Sequence, residues 1–503
     1  MKQQVVIIGA GLGGLFTGAI LAKEGFQVTV LEKNATIGGG LQTFTRWGQR
    51  FDTGMHVIGG MQPGGNIRRI CNYLGILDEV QLRDVDEHCS DALYFAEDDA
   101  HYTIARGREG FVRSLAAVFP HEREGLRRYV DAIYTITDHV DQFNLRPSHG
   151  QMSLLGQSND FLMPADEFIA QHVGDRRLRS VLAYMNPLYG GQAHCTPAYI
   201  HAIISVLYID GTSRFVDGSS HFADSLAGVI TRHDGVVLPG DGVEWIEVNN
   251  RHIDHVRTRS GRCYSADHYI CAMHPCSMLR LMDAKALPKA YRDRLNSIPN
   301  AYSVFSLYIK FKPNSFAYIN HSEYYMTRYD DIWNFADTAK QWPLGFLFMT
   351  PPDAEQGEYA SKALVTAPMT FDHVKPWENT TVEHRGEDYR RWKDECAARL
   401  LAMIERLHPG IRDCIEQMLT ASPLTIRDFY AVKGGSLSGY VKDCHNMALS
   451  QVPVVTKIDN LLLTGQNNNL HGFCGVPLTA ILTCEALLGN NYVINKINAC
   501  DQR

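Results

Sequence analysis

Apolar residues along this chain follow two rhythms: short unbroken runs, and stretches in which they recur every three or four residues. The first run, VVII (5–8), is a β-branched block of the kind buried on both faces of a parallel sheet. LFTGAILAKEG (15–25) then reads as a helix, with Gly25 placed to stop it, and QVTVLE (27–32) as a second strand. Near the other end, LLLTG (461–465) reads as a buried strand. VPLTAILTCEALL (476–488) reads as a helix with Pro477 in its first turn, where a missing N–H costs little. Residues 219–248 read as helix, turn, strand, strand, and 252–275 as a hairpin followed by a strand at HYICAM. The remaining sequence mixes helical stretches (110–119, 127–140) with β-rich ones (301–311, 342–350), without internal repeats or low-complexity tracts. The alternation of strands and helices predicts an α/β chain.

Between the first strand and first helix lies Gly9-Ala10-Gly11-Leu12-Gly13-Gly14, a GxGxxG. Gly9 allows the tight turn, Gly11 lets a pyrophosphate approach the backbone, and Gly14 lets helix and strand pack closely. The helix amino terminus offers free N–H groups and the positive end of its dipole to the phosphates. Glu32 ends the second strand 18 residues after Gly14, near the spacing of about 20 expected for an acid on a ribose hydroxyl. The full order of strand, glycines, helix, strand and acid predicts a dinucleotide site.

A second glycine cluster follows in IGGGLQTF (37–44). NAD needs the first unit alone. FAD is longer, and its ribityl–isoalloxazine half must pass a second close-packed backbone, so this cluster favours FAD, with Thr43 offering a hydroxyl beside it.

Bulk properties narrow the class. A length of 503 residues exceeds one simple core and predicts two domains or a large insertion. A net charge of −7 argues against a nucleic-acid partner. The twelve cysteines are scattered, none in CxxC spacing, and Cys271 with Cys276 is too isolated for a metal site. With a strand starting almost at once and no signal-peptide pattern, reduced cysteines and a cytoplasmic location are expected. No run reaches the roughly 18 apolar residues of a membrane span. AIISVLYI (202–209) falls far short, which leaves peripheral membrane contact open.

The motifs resemble those of flavoproteins of the amine oxidase and phytoene desaturase type, in which the ribose acid is followed by GG-R-x-x-[ST]. Gly38, Gly39 and Thr43 fit that spacing, while the arginine position holds Gly40. A cation near the pyrophosphate would then come from Arg46 or Arg50. FDTGMHVIGG (51–60) resembles the next segment of retinol saturases and carotenoid isomerases, relatives that also tend to lack the arginine. TPAYIHAIISVLYIDGTSRFVDGSSHFADSL (196–226) resembles the stretch by which those proteins re-enter the flavin domain, with His201, Tyr208, Gly211 and Asp217-Gly218-Ser219 at the matching places. Asp217 stands where the first glycine of a GGS would be.

The resemblance implies a Rossmann-type FAD-binding domain, discontinuous over 1–70, 219–290 and 455–503, with an interleaved α+β substrate domain over 71–218 and 291–454. It implies cofactor contacts at Gly9, Gly11, Gly13, Gly14, Glu32, Lys33, Gly39, Gly40, Leu41, Thr43 and Gly54. It sets Val243 at the adenine, Gly465 and Gln466 at the ribityl chain, and Gly475 and Val476 at the pyrimidine end. His56 and His471 lie in flavin-proximal motifs and are the leading candidates for proton chemistry, with His201 third; Tyr184, Tyr189, Tyr199 and Tyr208 are expected in the core. There is no second GxGxxG, so an external electron donor or acceptor, NAD(P)H, a quinone or a protein, would bind transiently.

The reaction implied is hydride exchange with a carbon–carbon bond of a hydrophobic polyene or isoprenoid, as a saturase, desaturase or isomerase. An oxidase of an amine or other small polar substrate, and a non-catalytic lipid carrier on the same fold, remain alternatives at this stage.

Overall fold

A computed structural model describes residues 2–54, 56–148 and 160–501. Its parallel sheet has five strands in the order Val236–Leu238, Gln27–Leu31, Gln4–Ile8, His268–Cys271, Leu461–Leu463. Strands from the start, middle and finish of the chain thus lie side by side. The first strand is central, which is why VVII carries apolar residues at every position: Val5, Val6, Ile7 and Ile8 are all buried.

Helix Leu12–Lys23 packs between Gly472–Leu488 and Ser220–Arg232 on one face of that sheet. Covered from several sides, it has no polar stripe, and everything from Gly13 to Ala22 is buried. Thr17 Oγ1 reaches Thr464 Oγ1 at 3.1 Å, tying the first helix to the last strand. The opposite face is covered by an antiparallel ribbon, Val243–Asn249, His252–Thr258 and Cys263–Tyr264. The hairpin read over 252–275 therefore gains a third strand, because Asn250 and Arg251 both take positive φ and turn the chain tightly.

A second sheet has seven strands, in the order Ile415–Ala421, Ser303–Phe311, Lys362–Met369, Gly345–Met349, Ser322–Met326, Asp91–Phe95, Ala100–Ile104. Helix Glu387–Leu407 lays Leu400, Leu401 and Ile404 on one face, against Phe305, Leu307 and Ile309. The other face carries Val304 and Ser306 toward a cavity. Alternate residues thus point to opposite faces, yet both faces are covered, so the run looked uniformly apolar in sequence.

Helix Ala198–Asp210 closes the far side of that cavity. Ile200, Ile203, Ile204, Leu207 and Tyr208 line it, the spacing of a single helical stripe. No single helix among the described residues is long and apolar enough to cross a membrane.

Candidate functional site

One cavity of about 420 Å³ runs from the glycine clusters to the inner face of the seven-stranded sheet. At one end the two amino-terminal glycine clusters meet. Gly38 N donates to Ala10 O at 2.7 Å, and a Cβ on Gly39, whose φ is +57°, would sit 3.0 Å from Gly11 Cα. From the other end of the chain, Gly465 and Val476 close on Gly13: a Cβ there would meet Gly465 Cα at 3.1 Å and Val476 Cγ1 at 3.3 Å. Side chains at these points would push apart the stretches of backbone that wall the groove.

Helices Leu12–Lys23 and Gly472–Leu488 both start at this groove without a side-chain cap. Their free N–H groups and dipoles favour negative charge. Glu32 lines the groove and holds it in shape, with Oε2 accepting from Ala10 N and Oε1 from Asn34 N, each at 2.8 Å. A carboxylate has about four acceptor positions, so two remain for a ribose hydroxyl. The groove fits an extended dinucleotide.

The sequence-derived residues divide as follows. Gly9, Gly11, Gly13, Glu32, Lys33, Gly39, Gly40 and Gly54 line the cavity, as do Val243, Gly465, Gln466, Gly475 and Val476. Lys33 contributes its stem, since its Nζ turns away to donate to Asp428 O at 2.6 Å. Gly14, Leu41 and Thr43 do not line it. A Cβ on Gly14 would overlap the Gly9 carbonyl oxygen, so this glycine serves helix–strand packing. Leu41 is buried beneath the loop, its carbonyl accepting from Ser219 Oγ at 3.0 Å, and Thr43 Oγ1 donates to Ser220 Oγ at 3.1 Å. Neither Arg46 nor Arg50 supplies a cation here. The hairpin Thr43–Arg46/Gln49–Asp52 turns them outward, Arg46 onto the Trp47 ring and Arg50 to Asp217 O at 3.4 Å. Asp217 takes a left-handed conformation of the kind that favours glycine, φ 56°, with Oδ1 accepting from Ala354 N at 3.0 Å.

His56 and His471 both line the cavity, and His56 Nδ1 and His471 Nε2 have no partner among the described residues. Burial, helped by the Arg214 charge, holds His56 down at about 3. Burial, helped by Lys442, does the same to His471, also at about 3. Both imidazoles are neutral at physiological pH. His201 is not at the cavity. It falls just outside the lining stripe of its helix, fully buried, with Nε2 at 2.7 Å from Tyr129 OH and Nδ1 at 3.1 Å from Tyr189 OH. Tyr184, Tyr189 and Tyr199 are core residues as expected, but Tyr208 faces the cavity.

Several lining residues had no sequence signal of their own. Tyr324, Met326, Phe346 and Met349 come from strands buried on both faces. His274 also lines the groove; burial holds it at about 4, and its Nε2 lies 2.8 Å from Asn300 Oδ1. Tyr430 closes over the second glycine cluster, its OH donating to Thr53 Oγ1 at 3.0 Å. Asp52 is a further anchor: Oδ1 accepts from Ser219 N at 2.7 Å and Ser219 Oγ at 2.8 Å, locking the two motif loops together. Burial raises Asp52 to about 6 against the pull of those two bonds.

The chain is similar to known proteins in sequence and in fold. All-trans-retinol 13,14-reductase of Macaca fascicularis is 25% identical, covering 97% of this chain and 86% of its own. Prolycopene isomerase 1 of an Oncidium hybrid cultivar is 30% identical over 35% of this chain and 30% of its own. The crystal structure of an oxidoreductase from Methanosarcina mazei superposes with a TM-score of 0.63 at 15% identity, covering 96% of this chain and 100% of that one. The sequence pattern of the flavin containing amine oxidoreductases matches residues 12–488. This chain belongs to that family.

Proposed function

We propose that this protein is an FAD-dependent oxidoreductase acting on a carbon–carbon double bond of a hydrophobic polyene or isoprenoid. The observation that carries the proposal is the continuity of the cavity: the glycine groove opens directly into an apolar chamber walled by Ile203, Leu207, Met326, Phe346 and Met349. The names of the relatives, a retinol reductase and a prolycopene isomerase, support the same substrate class.

A bound flavin supplies hydride exchange with carbon. The chain's own residues do the rest. The stripe of helix Ala198–Asp210 and the inner sheet face hold an apolar substrate and exclude water. His56 Nδ1 and His471 Nε2, which have no hydrogen-bond partner among the described residues, would accept a proton or a hydrogen bond at the cavity. An imidazole kept neutral acts as a base or hydrogen-bond partner and not as a resting acid. Gly9, Gly11, Gly13 and Gly39 would hold the pyrophosphate, Gly465 and Gln466 the ribityl chain, the start of helix Gly472–Leu488 the pyrimidine end, and Val243 the adenine. The electron donor or acceptor, NAD(P)H or a quinone, would come from outside, and a substrate this apolar would be exchanged at a membrane surface.

Amine oxidation fits less well. Glu32 is the one carboxylate among the lining residues, and it belongs to the nucleotide end, so no carboxylate in the apolar chamber would pair with an ammonium.

The test is spectroscopic. The flavin-loaded protein, oxidised or reduced, is mixed anaerobically with candidate polyenes. Bleaching of oxidised flavin marks desaturation, reoxidation of reduced flavin marks saturation, and a shifted polyene spectrum over unchanged flavin marks isomerisation. A panel of polyenes that leaves both spectra untouched removes the proposal.

A further inference from the structure

A buried lysine stands behind the cavity wall. Lys442 is 5% exposed, and its Nζ has no hydrogen-bond partner among the described residues. The segment carrying it lies against the loop that leads into helix Gly472–Leu488. Gln466 Nε2 donates to Leu437 O at 3.2 Å, and Tyr440 N donates to Asn467 Oδ1 at 3.1 Å. From the other side, Val441 N donates to Pro299 O at 2.9 Å and Cys195 Sγ to Lys442 O at 3.9 Å, so the lysine backbone is fixed. The neighbouring Asp443 makes no ion pair with Lys442 among the described residues, and its Oδ1 accepts from His445 N at 2.9 Å.

A buried ammonium with no counter-ion is strongly unfavourable, and an anion brought by a ligand removes that cost. Burial lowers Lys442 to about 8, so it still carries charge at pH 7. Its charge reaches His471, which lines the cavity at the uncapped start of helix Gly472–Leu488. The ammonium thus stands behind His471, at the side of the cavity where the positive helix end, Gly475 and Val476 form the wall.

We propose that Lys442 is a positioning residue that supplies, across His471, the countercharge for the negative charge a bound flavin gains on reduction. Uptake of two electrons with one proton leaves one added negative charge, and Lys442 is the group that meets it. The inference rests on a flavin lying in the groove and not on which substrate is processed, so it and the polyene reading fail independently.

The experiment compares FAD-loaded wild type with Lys442→Met, Lys442→Gln and Lys442→Arg. Flavin content and thermal midpoint are measured first. Each protein is then reduced anaerobically with dithionite in the presence of a reference dye. Losing the charge should lower the equilibrium constant for flavin reduction at least tenfold, about 30 mV for a two-electron couple. Lys442→Arg should stay near wild type. Should Lys442→Met not fold, the Gln and Arg pair, both polar and differing in charge, carries the same comparison. Coincident midpoints for Lys442→Gln, Lys442→Arg and wild type, all retaining flavin, overturn the proposal.

Discussion

A methyl group at Gly14 would have to share space with the Gly9 carbonyl oxygen, and both belong to backbone that cannot swing aside. Gly14→Ala should therefore push the first helix off its strand and spoil the groove. The visible flavin absorbance per protein should fall more than tenfold, and a variant with full flavin content would show that the groove tolerates the shift. Asp52 makes a different kind of prediction. Its pKa is raised by burial to about 6 from 3.8, so the folded state holds this proton more tightly than the unfolded chain does. The stability it contributes is complete below about 3.8 and is lost as pH rises through about 6. A shift of that size corresponds to roughly 3 kcal/mol. Asp52→Asn keeps an oxygen for Ser219 and never ionises. Its thermal midpoint should exceed wild type at pH 8, with the gap about halved at pH 5 and closing toward about pH 4; a gap constant across that range would argue against the assignment. His201 belongs to a third class. It pairs with two phenols in the core, so His201→Leu should cost about 1–3 kcal/mol through unsatisfied hydroxyls. Its flavin spectrum should match wild type, whereas loss of that spectrum would return His201 to the site.

Elements bring these residues to the cavity, and helix Ala198–Asp210 does so most directly. Its stripe at 200, 203, 204, 207 and 208 is visible in the sequence as helical spacing, but the sequence does not tell a stripe facing a cavity from one facing packed side chains. Tyr208 shows the difference: it was expected in the core and lies on the wall. The strands of the second sheet were harder still. Alternation is erased when both faces are buried, so Tyr324 and Met349 gave no sign of facing inward. The stripe can be tested. Ile204→Trp fills the chamber from the helix side and leaves the glycine groove alone. Flavin binding should persist while polyene affinity, followed by quenching or shift of the polyene spectrum, drops at least tenfold. Unchanged affinity would place the substrate elsewhere.

At the scale of the whole molecule, the nucleotide groove is built where three distant stretches of chain meet. Strands from 4–31, 236–271 and 461–463 share one sheet, and Gly13 touches Gly465 across nearly the full length of the sequence. A ligand bound there stabilises all three at once, by about 2.7 kcal/mol at a hundredfold excess over its dissociation constant. Hydrogen exchange should therefore slow together in residues 5–31, 268–271 and 461–476 when FAD is added to stripped protein. Protection confined to the amino-terminal stretch would contradict the shared groove.

The amino-acid sequence by itself determined the local units: a β-branched strand, the glycine turn, the helix behind it, Glu32 at the next strand end and a matching strand and helix near the other end. Each of these rests on short-range rules of sterics and periodicity, which neighbouring residues carry in full. Tertiary structure alone decided which of those residues face open space. It turned Thr43 toward Ser220, swung Arg46 and Arg50 outward, drew His201 into a phenol network and left Lys442 Nζ buried without a hydrogen-bond partner among the described residues. The physical reason is that the direction and burial of a side chain depend on what packs against it, and those partners can lie far along the chain: Ser220 is 177 residues from Thr43, Asp217 is 167 from Arg50 and Tyr129 is 72 from His201.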